Sequence, residues 1–261
     1  MKINFSKSEI KHLVAASVVL GFIFFVFTEW RTTSFDIATG IYSWIKTIII
    51  SLIALFIHIL AHKFIAIKSH AIVEFRTWSI QRYGIRKNST YPIKTAGFNI
   101  PFLPIGIILS MLVIFLSAGK GIFAAVESFI ITDVKTEKRI GRRLSEYSPR
   151  FIELTETEIA LISLIAPIVS TLLAVIFLNT PFHKFGLINM YIAIYSMLPF
   201  PGLDGIKILF GSIWIYLLGI LFVGISLGLA YGQILSFIPA IILSLVLSII
   251  LTLLGIFLLN K

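Results

Sequence analysis

The sequence predicts an all-α polytopic membrane protein with about six transmembrane helices, a re-entrant segment and short membrane-associated β-strands. Apolar residues make up 58% of the 261-residue chain and charged residues only 13%, whereas soluble proteins carry about 25% charged residues. Several apolar runs are long enough to cross a bilayer, which takes about 20 helical residues. The basic residues behind the net charge of +10 lie between these runs, as is typical of cytoplasmic loops and not of a nucleic-acid-binding surface.

Seven apolar runs set the order of the predicted elements. They lie at about 12–29, 41–67, 101–118, 157–179, 184–203, 206–230 and 234–260. The third run is short and has Pro101, Pro104 and Gly106 in its first third, so we interpret it as a re-entrant or membrane-surface segment buried against protein. The other six runs are predicted spans, and the first is interpreted as uncleaved because no small-residue cleavage site follows it.

Two long polar stretches, 68–100 and 119–156, support this interpretation of the third run. Both are strongly basic, so both are expected on the cytoplasmic face, and a span at 101–118 would separate them. The same topology places both termini in the cytoplasm, on a protein integral to the cell membrane. Alternating and β-branched residues at 71–78 and 123–134 predict short strands beside the membrane.

The predicted chain divides into three parts. Residues 1–40 form the first span and an external turn, and residues 41–210 form a membrane core that includes the cytoplasmic-side loops 68–100 and 119–156. Residues 211–261 form a C-terminal helical hairpin. Because the chain contains no cysteine, disulfides and thiolate metal sites are excluded.

Ionisable residues inside membrane segments are costly, and they are functional candidates for that reason. His58 and His62 lie one helical turn apart in the second predicted span, on one face and close enough to share a metal ion. Asp204, the only acidic residue after Glu158, follows the fifth span where prolines and glycines break the helix. The histidines also fit polar groups satisfied by neighbouring helices, and Asp204 also fits a helix cap, a role compatible with metal binding.

The predicted topology brings these three residues together. The second and fifth spans both run towards the cytoplasm, so His58, His62 and Asp204 are expected at a similar depth. Two imidazoles and one carboxylate leave a fourth tetrahedral position open, which is the geometry of a catalytic zinc site. The sequence therefore predicts one zinc ion bound by these three side chains.

Three segments of the chain resemble the motifs of the site-2 proteases, which are intramembrane zinc metalloproteases. The family motifs are His-Glu-x-x-His, Gly-Pro-x-x-Asn and Asn-x-x-Pro-x-Pro-x-x-Asp-Gly, in that order. The similar segments here are His58-Ile-Leu-Ala-His62, Ala166-Pro-Ile-Val-Ser170 and Ser196-Met-Leu-Pro-Phe-Pro-Gly-Leu-Asp204-Gly205. The resemblance covers roughly residues 41–210, with a longer insert near 79–100, and the segment 73–78 is similar to the archaeal-type branch.

The resemblance implies that His58, His62 and Asp204 bind zinc, and that the substrate or partner is a transmembrane helix of another membrane protein. It also implies that the remaining motif residues shape the substrate cleft. These residues are Ala166, Pro167, Ser170, Ser196, Pro199, Pro201 and Gly205. The lipid bilayer is the other expected partner, and no nucleic acid is expected.

The departures from the family motifs concern catalysis. The family glutamate, which accepts a proton from the attacking water and passes it to the leaving amine, is replaced by Ile59, an aliphatic residue that can do neither. A positioned base contributes about 10²- to 10⁴-fold to the rate. Ser170 and Ser196 replace two family asparagines, and Ala166 replaces a glycine at a close helix contact. The motifs therefore assign no catalytic residue.

Three hypotheses for the function follow. The first is a pseudoprotease that keeps the fold and zinc and acts by binding membrane helices or partner proteins. The second is an active intramembrane zinc metalloendopeptidase whose base comes from elsewhere in the chain, with Glu74 and Glu127 as candidates and His70 as a weaker one. The third is a metal or proton transporter that uses the two histidines and Asp204; the motif resemblance and the scarcity of other polar groups in the spans argue against it.

Overall fold

The structure is a computed structural model, and it describes residues 3–29, 36–80, 93–95, 98–100, 103–134 and 154–259. Within these ranges the chain forms eight helices and four short strands. The helices are α1 (Lys7–Glu29), α2 (Ile37–Lys68), α3 (Ile105–Leu116), α4 (Glu156–Phe177), α5 (His183–Ser196), α6 (Asp204–Gly211), α7 (Ile213–Tyr231) and α8 (Phe237–Leu259). The strands are β1 (Ala71–Thr77), β2 (Ile93–Thr95), β3 (Phe98–Ile100) and β4 (Glu127–Val134). The predicted class, an all-α polytopic membrane protein with short strands, is confirmed.

Five of the described helices, α1, α2, α4, α7 and α8, are long and apolar enough to cross a membrane. The fifth predicted span, 184–203, contains only the 14-residue helix α5, which at 1.5 Å per residue is about 21 Å long and shorter than a hydrocarbon core of about 30 Å. The predicted run 206–230 is divided at Ser212, whose extended backbone ends α6 and whose hydroxyl accepts a hydrogen bond from Ile215 N at the start of α7. The described structure thus has five long spans where the sequence predicts about six.

The third apolar run forms α3, a helix of 12 residues. A helix of this length is about 18 Å long and cannot cross the hydrocarbon core by itself. This agrees with the prediction that 101–118 is not a full span. The cytoplasmic location of the termini and of the polar stretches stays a prediction, and part of each stretch (81–92, 96–97 and 135–153) lies outside the described residues.

β1 and β4, which form at the positions where short strands were predicted, pair as an antiparallel ribbon. Their register places Thr77 opposite Glu127 and Phe75 opposite Phe129, and directly opposed residues in an antiparallel pair lie on the same face. That face is buried, since Phe75, Phe129 and Glu127 are 3–5% exposed. Glu74 is opposite Ile130 and therefore points to the other face.

A buried ion pair connects the ribbon to the first two helices. Lys63 on α2 lies 3.0 Å from the carboxylate of Glu9 on α1, and its Nζ also donates to the carbonyls of Asn4 and Val73. Oε1 of the Glu9 carboxylate also accepts a hydrogen bond from the backbone N–H of Phe75. One charge pair therefore fixes α1, α2 and β1 relative to one another, next to His62 in the chain.

The helix α4 packs against α2, α5, α6 and α7. Its buried face carries small residues, which let neighbouring helices approach closely. These residues are Ala160, Ser163, Ala166, Ser170 and Ala174. Pro167 lies within the helix, and the carbonyl of Pro167 accepts a hydrogen bond from the Thr171 hydroxyl. This close packing brings Ser170 to the histidines of α2.

We predict that Lys63→Met and Glu9→Gln each lower the thermal stability of the detergent-solubilised protein markedly. Removing one partner of a buried pair leaves the other charge unpaired and costs about 3–5 kcal/mol. The double substitution Glu9→Gln with Lys63→Met should recover part of the loss, because no unpaired charge remains. The matched control is Lys184→Met: Lys184 pairs with Glu29, but its side chain is 37% exposed, and such pairs contribute little. Equal destabilisation by Lys63→Met and Lys184→Met would contradict the larger contribution expected from the buried Glu9–Lys63 pair.

Candidate metal centre

His58, His62 and Asp204 converge on one buried point. The histidines lie in the last third of α2 and Asp204 is the first residue of α6; the three side chains are 1–5% exposed. His62 Nε2 lies 3.1 Å from Asp204 Oδ2, and His58 Nε2 lies 3.8 Å from the same oxygen. One nitrogen or oxygen atom from each residue lies within 4.8 Å of the other two. The structure thus brings together the three residues singled out by the sequence, and the group has the composition and spacing to hold a metal ion.

Both imidazoles are oriented by α4 through their Nδ1 atoms. His58 Nδ1 lies 2.8 Å from Ser170 Oγ, and His62 Nδ1 lies 2.7 Å from the carbonyl oxygen of Ile162. A carbonyl only accepts hydrogen bonds, so Nδ1 of a neutral His62 carries the proton and Nε2 presents its lone pair to the centre. Metal-binding histidines have this arrangement, in which a partner behind the ring sets the tautomer and direction of the other nitrogen.

Asp204 is positioned by the loop between α5 and α6, which is attached to β1 and β4. Trp78 Nε1 donates to the carbonyl of Pro201 at 2.8 Å, and the Ser128 hydroxyl donates to the carbonyl of Gly202. Gly202 has a φ of +96°, and a Cβ at this position would lie 2.9 Å from the Trp78 indole. A glycine is needed here for both reasons.

Glu127 is a fourth ionisable side chain at the centre, and the sequence named it only as one of several distant candidates. It is the first residue of β4, is 5% exposed, and its Oε1 lies 3.2 Å from His58 Nε2. Burial raises the pKa of the Glu127 carboxyl well above its ordinary value, and the Asp204 carboxylate raises it further, whereas Lys207 partly opposes the shift. The sequence names Glu127 as a candidate base but does not place it at the centre, because its approach to His58 depends on the pairing register of β4.

The other candidate bases do not face the centre. Glu74 lies on the opposite face of the ribbon, as its pairing with Ile130 requires. His70 lies in the turn between α2 and β1 with a φ of +56°. Ile59, at the position where the resemblance to the site-2 proteases implies a glutamate, is 3% exposed and packs in the main hydrophobic core.

The remaining motif residues have different roles. Ser170 contacts a candidate ligand directly, whereas the Ser196 hydroxyl donates to the carbonyl of Ala193 on its own helix. Ala166 and Pro167 are buried in the packing face of α4. Pro199 and Pro201 are exposed in the α5–α6 loop, and Gly205 is buried where a Cβ would lie 2.2 Å from the Met197 carbonyl oxygen.

Three buried polar atoms at the centre make no hydrogen bond of acceptable geometry, and they test whether the residues fit a cation. Within the described part of the chain, His58 Nε2 and both carboxylate oxygens of Glu127 have no hydrogen-bond partner. Leaving such groups unsatisfied costs about 1–3 kcal/mol each, and more for charged groups. A metal ion bound among two imidazole nitrogens and a carboxylate oxygen would satisfy His58 Nε2 and attract the Glu127 carboxylate, so the residues present fit a metal ion.

We predict that Gly202→Ala weakens both folding and metal binding, because alanine strains the left-handed backbone and its Cβ collides with Trp78. The free energy of unfolding should fall by about 1 kcal/mol or more, measured by thermal unfolding in detergent. The control is Gly224→Ala, because nothing lies within 4 Å of a Cβ at Gly224. A Gly202→Ala protein as stable as the Gly224→Ala protein would show that the loop adapts.

Comparison of the chain with protein-family models, with curated proteins and with solved structures gives no match.

Proposed function

We propose that the chain is a membrane-embedded zinc metalloendopeptidase of the site-2 protease type, in which Glu127 replaces the family glutamate missing at Ile59. The observation that carries this proposal is the buried Glu127 carboxylate, whose Oε1 lies 3.2 Å from Nε2 of His58 in a contact that lacks the geometry of a hydrogen bond. A general base must lie within hydrogen-bond distance of the proton that it abstracts, or one water away. Glu127 meets this condition for a water molecule located beside His58.

The donor set supports zinc as the metal. Zinc prefers imidazole nitrogen and carboxylate oxygen in a tetrahedral arrangement, and its catalytic sites have three protein ligands and an open fourth position. His58, His62 and Asp204 supply three such ligands, and Glu127 is not part of the group whose atoms lie within 4.8 Å of one another. Glu127 therefore fits a position beside the open site better than a position in the ligand set.

The proposed reaction is hydrolysis of a peptide bond in a membrane helix. A bound zinc ion would supply Lewis-acid polarisation and a lower pKa for water. Glu127 accepts a proton from the water that attacks the peptide carbonyl. As the carbon–nitrogen bond breaks, Glu127 donates this proton to the departing amine, so that one water is consumed and one carboxyl and one amino group form.

A second candidate is the pseudoprotease, and one distance favours it. Two ligand atoms about 2.0 Å from a tetrahedral zinc lie about 3.3 Å apart, which is close to the 3.2 Å between His58 Nε2 and Glu127 Oε1. If Glu127 moves towards the other ligands and binds the metal, the site is closed, as in structural zinc sites. The protein would then act by binding membrane helices.

A transporter is less well supported by the positions of the charged residues. Within the described helices and strands, the buried ionisable side chains are confined to the metal centre and the adjacent Glu9–Lys63 pair. Ion and proton paths across a bilayer are marked by ionisable or polar groups spaced along the pore. In the first half of α2 the buried polar side chains are the hydroxyls of Thr47 and Ser51, and the charged residue, Lys46, is exposed.

We predict one zinc ion per chain in protein purified without chelators, measured by elemental analysis. His58→Ala and Asp204→Ala should each remove it, because each takes away one of three ligands. His70→Ala is the matched control and should retain zinc, since His70 lies outside the centre. A wild-type protein that stays metal-free after zinc is added would overturn the proposed metal centre.

We predict that Glu127→Gln lowers cleavage of a membrane-helix substrate by about 10²- to 10⁴-fold while zinc remains bound. The assay uses a detergent-solubilised single-span protein with a fluorescent label at each end, and Glu74→Gln serves as the control with unchanged activity. Adding Ile59→Glu to the Glu127→Gln protein should restore part of the rate, because it returns a carboxylate to the family position.

Two results would favour the pseudoprotease over the protease. The first is zinc loss in Glu127→Gln, which would identify Glu127 as a ligand. The second is a zinc-loaded wild type that does not cleave while Ile59→Glu does.

A further inference from the structure

We propose that Lys207 is a positioning residue that keeps the Asp204 carboxylate bound to the metal through a single oxygen and attaches β4 to the metal centre. This inference rests on the proposed metal centre, because it assigns a role to a neighbour of one ligand. The motifs discussed above end at Gly205, and none of them includes Lys207.

One ammonium group contacts both halves of the centre. Lys207 lies one turn after Asp204 on α6, and its Nζ is 3.3 Å from Asp204 Oδ1. The same Nζ donates to the carbonyl oxygen of Phe129 on β4 at 2.9 Å and lies 3.4 Å from the centroid of the Phe129 ring. The Phe129 ring in turn lies 4.4 Å from the ring of His62. Lys207 is 20% exposed, so these contacts are only partly screened by solvent.

The two oxygens of the Asp204 carboxylate have different partners. Oδ1 faces the ammonium, and Oδ2 faces the two imidazole nitrogens at 3.1 and 3.8 Å. A carboxylate whose second oxygen is held in this way offers one ligand atom and leaves a coordination position open. Partners behind a ligand commonly set its geometry in metal sites.

The affinity of the site for a metal ion does not explain why a lysine lies beside Asp204. A positive charge a few ångströms from a divalent cation repels it, even at an effective dielectric constant of about 20. Removing the charge therefore strengthens the attraction of the site for metal, while it also frees Oδ1. A role in geometry accounts for a cation here, whereas a role in tighter metal binding does not.

The contact with Phe129 positions the strand that carries Glu127. Phe129 follows Glu127 by two residues and lies on the same face of β4. The hydrogen bond from Lys207 Nζ to the Phe129 carbonyl therefore links α6 to β4 two residues from Glu127 and restrains the position of Glu127 relative to the ligands.

The test uses Co²⁺ as a spectroscopic probe in place of zinc. Lys207→Met keeps the length and the apolar stem of the side chain and removes the charge, so Oδ1 is free to bind. The visible absorption of the Co²⁺ protein should then fall from the strong bands of four-coordinate cobalt to the weaker bands of five-coordinate cobalt. Lys207→Arg retains the cation and should keep the wild-type spectrum, a rescue that a purely space-filling role would not produce.

A second measurement tests the link between Lys207 and β4 in the metal-free protein. In the metal-free protein, amide hydrogen exchange across 127–131 should be several-fold faster in Lys207→Met than in wild type. The matched control for both measurements is Lys68→Met, because Lys68 also lies over a phenylalanine ring, 5.0 Å from the Phe64 centroid, but makes no contact with the candidate ligands.

The outcomes separate the two proposals. A wild-type protein that binds neither cobalt nor zinc overturns the metal centre itself. Cobalt binding with the same spectrum in wild type and Lys207→Met, together with unchanged exchange in 127–131, overturns the role of Lys207 and leaves the metal centre standing. Thermal unfolding of each variant confirms that the comparison is between folded proteins.

Discussion

Two imidazoles and two carboxylates buried together among apolar helices are the constraint on which the rest of the structure depends. Polar groups in such surroundings need partners, because each one left unsatisfied is costly. The Nδ1 atom of each histidine has a hydrogen-bond partner on α4: the Ser170 hydroxyl for His58 and the Ile162 carbonyl for His62. On the inner side, His58 Nε2 and the Glu127 oxygens are left unpartnered within the described structure. The centre is thus organised around a point at which a cation satisfies several groups at once.

The surrounding elements can be understood as supports for that point. The small residues of α4 allow close contact with α2, which brings the partners of the histidines within hydrogen-bond distance. The buried Glu9–Lys63 pair connects α1, α2 and β1 one residue beyond His62. Trp78 and Ser128 attach the α5–α6 loop to the strands. Each element that contributes a side chain to the centre is therefore fixed to at least one other element that does so.

Ile59, at the position where the motif resemblance implies a glutamate, has a different meaning once the tertiary structure is known. Proton transfer requires a carboxylate at a particular position relative to the attacking water, and it does not require that the carboxylate belong to α2. Ile59 completes the hydrophobic core, while the carboxylate beside His58 comes from a strand on the other side of the centre. The protease and pseudoprotease hypotheses then differ by a short movement of one side chain, from a place beside the metal to a place among its ligands.

The sequence by itself determined the environment and the candidate ligands. Hydropathy is a sum over about 20 residues, so the long spans could be predicted without any tertiary contact. His58, His62 and Asp204 stood out because ionisable residues are rare inside such runs. The pattern of apolar residues did not reveal how short α5 is between its turn and the proline loop, nor the break at Ser212.

Only the tertiary structure decided which further groups accompany the ligands. In an antiparallel pair, a shift of one residue turns every side chain to the other face, so the register of β1 and β4 alone places Glu127 inside and Glu74 outside. The spacing of Asp204 and Lys207, one helical turn apart, was visible in the sequence. The hydrogen bond from Lys207 to the Phe129 carbonyl was not, because it joins residues 78 positions apart. Local patterns record periodicity and composition, whereas these contacts depend on how separate elements pack.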